Sequence, residues 1–383
     1  MNLNKKKVVF IRTTSVINEP RVIKEAKVVK KMGLSPLVVF WDRLGNDKQL
    51  TEYEGIKLSP IYVGYSGYGK GIFNVHKRVL VTYEVIKKLK RENPFIIHAC
   101  DLDGLIPTIL YKKFFNKNTK IIYDIFDFIW TVNSPIPNFV RNFLKNLEQY
   151  LLKYVDYIIL PDENRVNFIK KNMRKKITIV NNAPEISIDY TFKKDYNGFP
   201  FIDKNKINIF YAGSLSKDRG IEWLIDIAKN FPEKFNIIVA GIGILKDKIK
   251  LMSEKLKNFY YLGKLSVADI YQIYPFIDIV YIMYNPIFLH NKYSSPTKLF
   301  EALHFGKPVI INKGIYWDKK VEEFNCGWVI DYDKKLLFNI LNQLDKLEIE
   351  RKSRNTEKLY ELVKWENSKK NLIKLYRSLI NEE

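Results

Sequence analysis

Short runs of branched and aromatic side chains alternate with longer stretches whose apolar positions recur at helical spacing. Lys7–Arg12, Pro36–Trp41, Phe95–Ala99, Lys120–Asp124, Tyr157–Leu160 and Ile177–Val180 read as buried strands. Between them, a segment opened by Glu19-Pro20-Arg21-Val22 places Val22, Ile23, Ala26 and Val29 on one helical face and ends near Met32-Gly33. Ile72–Glu92, Gly104–Phe115, Ile136–Val155 and Glu163–Lys171 read as further helices. The polar stretch 181–205, punctuated by Pro184, Gly198 and Pro200, reads as a linker. The pattern then restarts, with strands at Lys206–Tyr211, Asn236–Ala240, Phe259–Leu262, Ile279–Met283 and 308–312. Helices fall at Ile221–Asn230, Leu245–Leu256, Ser266–Phe276, 297–304 and Lys334–Asp345, with a long terminal helix. This alternation predicts two α/β domains, each a doubly wound parallel sheet, with ligands at the carboxyl ends of strands and a cleft between the domains.

The most informative stretch is Ser294-Ser295-Pro296-Thr297-Lys298-Leu299-Phe300-Glu301, which runs to Gly306-Lys307-Pro308. It reads as a loop, a helix start with hydroxyls able to cap, a glycine stop and a strand. A helix start aims free N–H groups at what lies before it and suits an anion. Lys298 adds a positive charge in the first turn, and Glu301, one turn on, can reach hydroxyls. A phosphate bound beside sugar hydroxyls describes a nucleotide sugar.

Two other turns follow strands. Gly213-Ser214-Leu215-Ser216-Lys217-Asp218-Arg219-Gly220 offers close backbone approach at Gly213 and phosphate partners in Lys217 and Arg219; strand–glycine–helix turns are also common without a ligand. Gly241-Ile242-Gly243 lacks the third glycine of a dinucleotide fingerprint, since position 246 is Lys246, so a nicotinamide reading is weak. His98 stands at a strand end, either facing the cleft or satisfied in the core. His76, His290 and His304 form no metal pattern.

Composition adds the partners. The chain has 383 residues and a net charge of +22, which points to an anionic partner or to a lysine-rich genome. No recognition helix or aromatic RNA-binding strand pattern occurs, which argues against nucleic acid. No apolar run is long enough to span a bilayer, and the basic lead into Val8-Val9-Phe10-Ile11 is unlike a secretory signal. Cys100 and Cys326 are far apart, consistent with a reduced cytoplasmic setting. Phe73–Lys90 and Phe139–Tyr154 mix apolar side chains with lysines, and Tyr62, Tyr65 and Tyr68 precede the first. They read either as packed helices with solvated lysine faces or as an interface with an anionic membrane.

In order and spacing, Tyr211-Ala-Gly-Ser-Leu…Arg219-Gly220, Gly241-Ile-Gly243, Tyr261-Leu-Gly263-Lys264-Leu265, Asp278 and Ser295-Pro-Thr-Lys-Leu-Phe-Glu301…Gly306-Lys-Pro-Val resemble the donor domain of GT-B fold retaining glycosyltransferases of family 4. Glu19-Pro20-Arg21-Val22, His98-Ala99-Cys100-Asp101, Tyr123-Asp124-Ile125-Phe126-Asp127 and Trp365-Glu366-Asn367 extend the resemblance over nearly the whole chain.

The resemblance implies an acceptor domain over 1–186, a linker over 187–205, a nucleotide-sugar domain over 206–362 and a terminal helix over 363–383 packing back on the first domain. It implies transfer of a hexosyl-type sugar, with retention, from a nucleotide-diphosphate donor to a glycan or lipid-linked acceptor in surface polysaccharide or glycoconjugate synthesis, without an obligatory metal or other cofactor. Arg219 would hold the diphosphate with Lys298, and Glu301 the ribose. Gly213, Ser214, Lys217, Gly241, Gly243, Lys264, Leu265, Ser294, Ser295, Pro296 and Thr297 would surround the donor. His98, Asp101, Asp103, Phe126, Asp127 and Tyr293 would line the sugar and acceptor side. Asp101-Leu102-Asp103 has the letters of a metal motif but reads as a loop or cleft acid.

Three positions depart from the family pattern. Tyr293 replaces a first glutamate, Ser214 replaces a cation, and Phe126 replaces a histidine that meets the sugar's C6 hydroxyl. An apolar Phe126 wall would suit a 6-deoxy sugar, or the ring is ordinary core. A nucleotide-sugar epimerase and a non-catalytic nucleotide-sugar or polyanion binder are the alternatives.

Overall fold

The computed structural model describes residues 6–17, 20–67, 75–131, 136–186 and 199–381. Glu19, Tyr68, the expected helix start at 72–74 and linker residues 187–198 lie outside the described residues. The chain divides into two units: Met1–Asn181 with Glu366–Glu383, and Asn182–Trp365.

In unit 1 the order is β1 (Lys7–Arg12), α1 (Pro20–Lys31), β2 (Ser35–Trp41), β3 (Glu52–Tyr53), β4 (Ile56–Ile61), α2 (Val75–Glu92), β5 (Ile96–Cys100), α3 (Asp101–Phe114), β6 (Lys120–Asp124), α4 (Asn138–Leu151), β7 (Tyr157–Leu160) and β8 (Ile177–Ile179). The sheet runs β3-β4-β2-β1-β5-β6-β7-β8, parallel except for the β3–β4 pair. Strand order reverses between β1 and β5, which pair in register Val8–Ile96 to Ile11–Ala99. Every residue of β5 is buried, as a two-sided parallel sheet demands.

Unit 2 continues with β9 (Ile207–Ala212), α5 (Ile221–Asn230), β10 (Phe235–Ala240), α6 (Lys246–Lys255), β11 (Phe259–Tyr261), α7 (Val267–Ile273), β12 (Ile279–Ile282), α8 (Leu289–Lys292), α9 (Thr297–His304), β13 (Val309–Asn312), α10 (Asp318–Glu323), β14 (Gly327–Ile330), α11 (Lys334–Gln343) and α12 (Lys346–Val363). Its sheet, β11-β10-β9-β12-β13-β14, is wholly parallel and reverses between β9 and β12. The last helix, α13 (Trp365–Asn381), lies within unit 1 from Glu366 onward. There Tyr376 is sealed, Asn371 Nδ2 donates to the Ile179 carbonyl at 3.0 Å, and Ser378 bonds to Tyr157 at 2.9 Å. The two doubly wound units give the fold class expected from the sequence.

Several elements differ from expectation. β3, α8, α10 and β14 were not legible because each is too short to show a period, and β4 because Lys57, Ser59 and Pro60 interrupt its apolar run. The helix expected over Glu163–Lys171 is 3-10 structure over Glu163–Phe168. The terminal helix is two helices, broken at Lys364.

A buried carboxyl sits under α4. Glu148 is fully buried, with Tyr123 Oη and Trp130 Nε1 donating to its two oxygens, the latter at 2.8 Å. Burial pushes its carboxyl up to about 7. The folded protein therefore holds a proton there that the unfolded chain has released, and this contribution to stability, complete below the unfolded carboxyl pKa, is lost as pH rises to about 7. From pH 4.5 to 7 the loss is about 3 kcal/mol at most. Denaturant titrations across this range should show Glu148→Gln gaining on the native chain as pH rises; parallel curves would contradict this account.

Candidate functional site

The reversal between β9 and β12 sets the site in unit 2, because loops at a reversal part there and expose backbone at strand ends. β9 ends at Ala212, followed by Gly213 and Ser214; β12 leads to Met283 and Tyr284. A third loop, Gly241-Ile242-Gly243, follows β10. Gly213 N donates to the Ala240 carbonyl at 3.0 Å and Leu215 N to the Ile242 carbonyl at 2.9 Å, so the two glycine loops run against each other. Gly241 has φ +137°, and a Cβ there would lie 1.8 Å from the Gly213 carbonyl oxygen; no other residue fits. Beside these loops is a cavity of about 330 Å³ lined by Gly213, Ser214, Gly241, Ile242, Lys264 and Leu265, among others. Gly243 is exposed just beyond it.

Lys298, in the first turn of α9, is 8% exposed, and its Nζ lies 4.1 Å from the centre of the Tyr211 ring and 5.4 Å from that of Tyr284. A Cβ added at Gly213 would meet that Nζ at 2.9 Å, so the glycine leaves the space the ammonium occupies. Burial works against the charge, but Tyr211 and Tyr284 outweigh it and hold the amine above its ordinary value. Arg219 stacks on the other cation's neighbour: its Cζ lies 3.8 Å from the Tyr284 ring centre, and its buried Nη1 has no hydrogen-bond partner. Two cations thus share one aromatic ring, an arrangement that repels itself until an anion arrives.

The start of α9 differs from the expected capped helix. Pro296 is the N-cap, and no side chain accepts from the first turn. Ser295 is buried and its Oγ has no protein partner, while Ser294 is half-buried and Thr297 exposed. Uncapped N–H groups, an orphan hydroxyl and two cations are the donor set of an anion site. Glu301, one turn into α9, is half-buried; Tyr274 Oη donates to its Oε2 at 3.0 Å, and burial raises its pKa. At the far end Gly306 adopts φ +66° and stops the helix as expected.

Sequence reasoning missed the residues that hold these groups. Tyr284 reads as the end of a strand, yet it carries both cations. Asp218 accepts from Asn291 Nδ2 at 3.0 Å and lies 3.5 Å from both His290 Nε2 and Arg219 Nε. Its carboxyl is held well below the usual range, first by His290. Asp218 therefore ties the turn bearing Arg219 to the 285–291 segment. Lys217, in the same turn, is exposed, and Tyr293 is half-buried behind α8.

In unit 1 the expected sugar and acceptor residues divide differently. His98 is fully buried, its Nδ1 2.8 Å from Tyr376 Oη and its Nε2 3.5 Å from carboxylate oxygens of both Glu25 and Asp124. The cleft-facing placement is corrected: β5 is covered on both faces, and His98 supports the core. Burial holds it below its ordinary pKa. His98, Cys100 and Asp124 bring possible metal-ligand atoms within 4.8 Å, but Arg21 is the cation there, donating twice to Asp124 at 2.7 and 3.1 Å.

Asp101 has φ +57°, pairs with Arg12 and accepts from Phe126 N at 2.9 Å and Asp127 N at 3.3 Å. It fastens the turn after β5 to the loop after β6. Phe126 is half-buried with Arg12 and Arg21 stacked on its ring, 4.3 and 4.8 Å from its centre. The ring is thus a platform for two guanidinium groups. Asp127 is exposed beside Arg165, and Asp103 pairs with Arg78.

Residues 193–358 match the family model described as glycosyl transferases group 1. Among solved structures, the fold is similar to sucrose-phosphate synthase from Thermosynechococcus elongatus (TM-score 0.80, 14% identity, covering 99% of this chain and 100% of that one). It is also similar to Anabaena HepE in complex with UDP-glucose (0.72, 15%, 97% and 99%) and to WaaG, a glycosyltransferase involved in lipopolysaccharide biosynthesis (0.65, 13%, 92% and 95%). A comparison with curated protein sequences gives no match. Residues 193–358, within unit 2, are thus similar to group 1 glycosyl transferases, and the fold is that of GT-B glycosyltransferases.

Proposed function

Taking unit 2 as a group 1 glycosyltransferase domain, we propose that the protein transfers a hexosyl-type sugar, with retention, from a nucleoside-diphosphate donor to a lipid-linked or glycan acceptor in surface polysaccharide or glycoconjugate synthesis. One observation carries the reading: Lys298, the unpartnered arm of Arg219, the orphan hydroxyl of Ser295 and the uncapped start of α9 gather at one strand-order reversal. The neighbouring cavity at Lys264 and Leu265 suits the base, and Glu301 the ribose hydroxyls. That HepE is solved with UDP-glucose supports a nucleotide-sugar donor of this kind.

The bond from the anomeric carbon to the β-phosphate oxygen breaks and one to the acceptor oxygen forms on the same face. The acceptor proton passes to the departing phosphate. Negative charge grows on that phosphate, and Lys298, Arg219 and the α9 N–H groups stabilise it where it develops. These cations do the work a divalent ion would do, so no obligatory metal is invoked.

No described helix is long and apolar enough to cross a membrane. We place the protein in the cytoplasm, peripherally on the membrane's cytoplasmic face, because Val79, Leu80, Tyr83, Phe139 and Phe143 are exposed on the lysine-bearing helices α2 and α4.

Thermal-shift titrations with UDP, GDP, ADP and dTDP, in EDTA, test the donor site. One nucleotide should raise Tm by several degrees at about 100-fold its Kd. Glu301→Ala should lose most of that shift. No response to any of the four would turn the assignment toward a non-catalytic polyanion binder.

A further inference from the structure

Unit 1 has its own strand-order reversal, between β1 and β5, and a cavity of about 420 Å³ lies at the carboxyl ends of its strands. That size falls within the about 300–1,000 Å³ of small-molecule sites. Thr13 follows β1, Trp41 ends β2, and Leu102 and Asp103 open α3; Val79 of α2 and Leu144 of α4 complete the wall. The lining is overwhelmingly apolar, which is wrong for a bare sugar and right for hydrocarbon.

Its polar end carries two guanidinium groups. Arg78 lines the cavity and pairs with Asp103. Arg43 lies beside it, donating to the Thr13 carbonyl at 2.9 Å and stacking on Trp41, its Cζ 4.4 Å from the ring centre. Burial, and then the neighbouring Arg43 charge, bring the Arg78 pKa down to about 10. The outer rim is apolar: Val75 and Val79 are 53% and 64% exposed, and Phe139 and Phe143, each one position before lining residues Val140 and Leu144, are 76% and 63% exposed. Water disfavours such a rim unless something apolar covers it.

We propose that this cavity holds the hydrocarbon chain of the acceptor, an acyl or isoprenoid lipid whose anionic phosphate-type head lies at Arg43 and Arg78. The proposal rests on the glycosyltransferase reading and selects the lipid among its acceptors. The chain enters between α2 and α4, and the exposed Val79, Phe139 and Phe143 rest on the bilayer from which it is drawn.

Isothermal titration with butyl, heptyl and decyl phosphate, below their micelle concentrations, tests this. Affinity should rise about four-fold per added CH₂ until the cavity is filled. Inorganic phosphate should bind far more weakly than decyl phosphate. Leu144→Trp, which fills the cavity from α4, should weaken decyl phosphate at least ten-fold and leave nucleoside-diphosphate affinity unchanged; Ile106→Phe fills it from α3 and guards against a folding defect in the first. Affinity that is flat with chain length, or unmoved by both filling variants, overturns the proposal. If that happens while a nucleoside diphosphate still binds, the lipid site falls alone. If the chain binds and no nucleotide does, the glycosyltransferase reading falls and the acceptor role falls with it.

Discussion

Turnover should fall by about 10²–10³-fold when Lys298 is replaced by alanine, the range seen when one charge-stabilising group is removed from an active site. The ammonium is 8% exposed and held against two tyrosine faces, so it acts in surroundings where water screens little. Lys298 makes no ion pair with a carboxylate among the described residues, so Lys298→Ala leaves no charge stranded and should still fold. Arg219→Ala should cost a similar factor, while the pair together should cost less than the product of the two, because both cations act on one diphosphate over the Tyr284 ring. The contrast between ligands localises the effect: affinity for the nucleoside diphosphate should drop more than affinity for the matching monophosphate. Steady-state rates and titrations of the three variants decide it. A folded Lys298→Ala enzyme with native turnover would remove Lys298 from the reaction.

The second large effect concerns folding. Arg21→Met should cost about 3–5 kcal/mol, the range for stripping one partner from a buried ion pair. Arg21 is 6% exposed, Asp124 and Glu25 are fully buried, and the guanidinium donates to Asp124 and to the Val180 carbonyl and lies 3.2 Å from Glu25. Burial opposes a charge on Asp124, but Arg21 and His98 outweigh it and keep its carboxyl below the ordinary range. Glu25 goes the other way, raised by burial and then by Asp124, so it carries its proton. One cation thus answers one carboxylate. With Met at position 21, Asp124 has no cation, and its pKa should rise. The added double variant Arg21→Met/Asp124→Asn should recover much of the loss in guanidinium titrations. A single-variant cost below about 1 kcal/mol would show that solvent or a neighbour already answers the charge.

Much of the fold could be read from the chain because fully buried parallel strands announce themselves as unbroken apolar runs, as in Ile207–Ala212 and Ile279–Ile282. The donor-side loops were legible for a related reason: Gly241 must be glycine for backbone to meet backbone, Gly213 leaves room for the Lys298 ammonium, and Lys298 and Glu301 occupy one helical turn. What was hidden depends on distant pairing. Tyr284 is separated from Arg219 by the elements α5 to β12, and its aromatic face is indistinguishable in sequence from core tyrosines such as Tyr281. His98 stayed between two readings because a histidine at a strand end looks the same whether the strand is covered or bare. Only its partners, Tyr376 among them, decide which.

Tyr376 belongs to a segment translated after unit 2, whereas the sheet it completes is begun before it. Between Asn181 and Glu366 the ribosome must add all of unit 2, which at bacterial or slower speeds takes roughly 10–40 s. Through that interval the nascent first unit lacks the helix that closes over His98, and its uncovered surface is open to misassociation or to a chaperone. Vectorial synthesis would therefore finish the second-made unit before the first. Expression of residues 1–181 alone would trap the incomplete state, and supplying the 366–383 peptide in trans would be the natural way to release it.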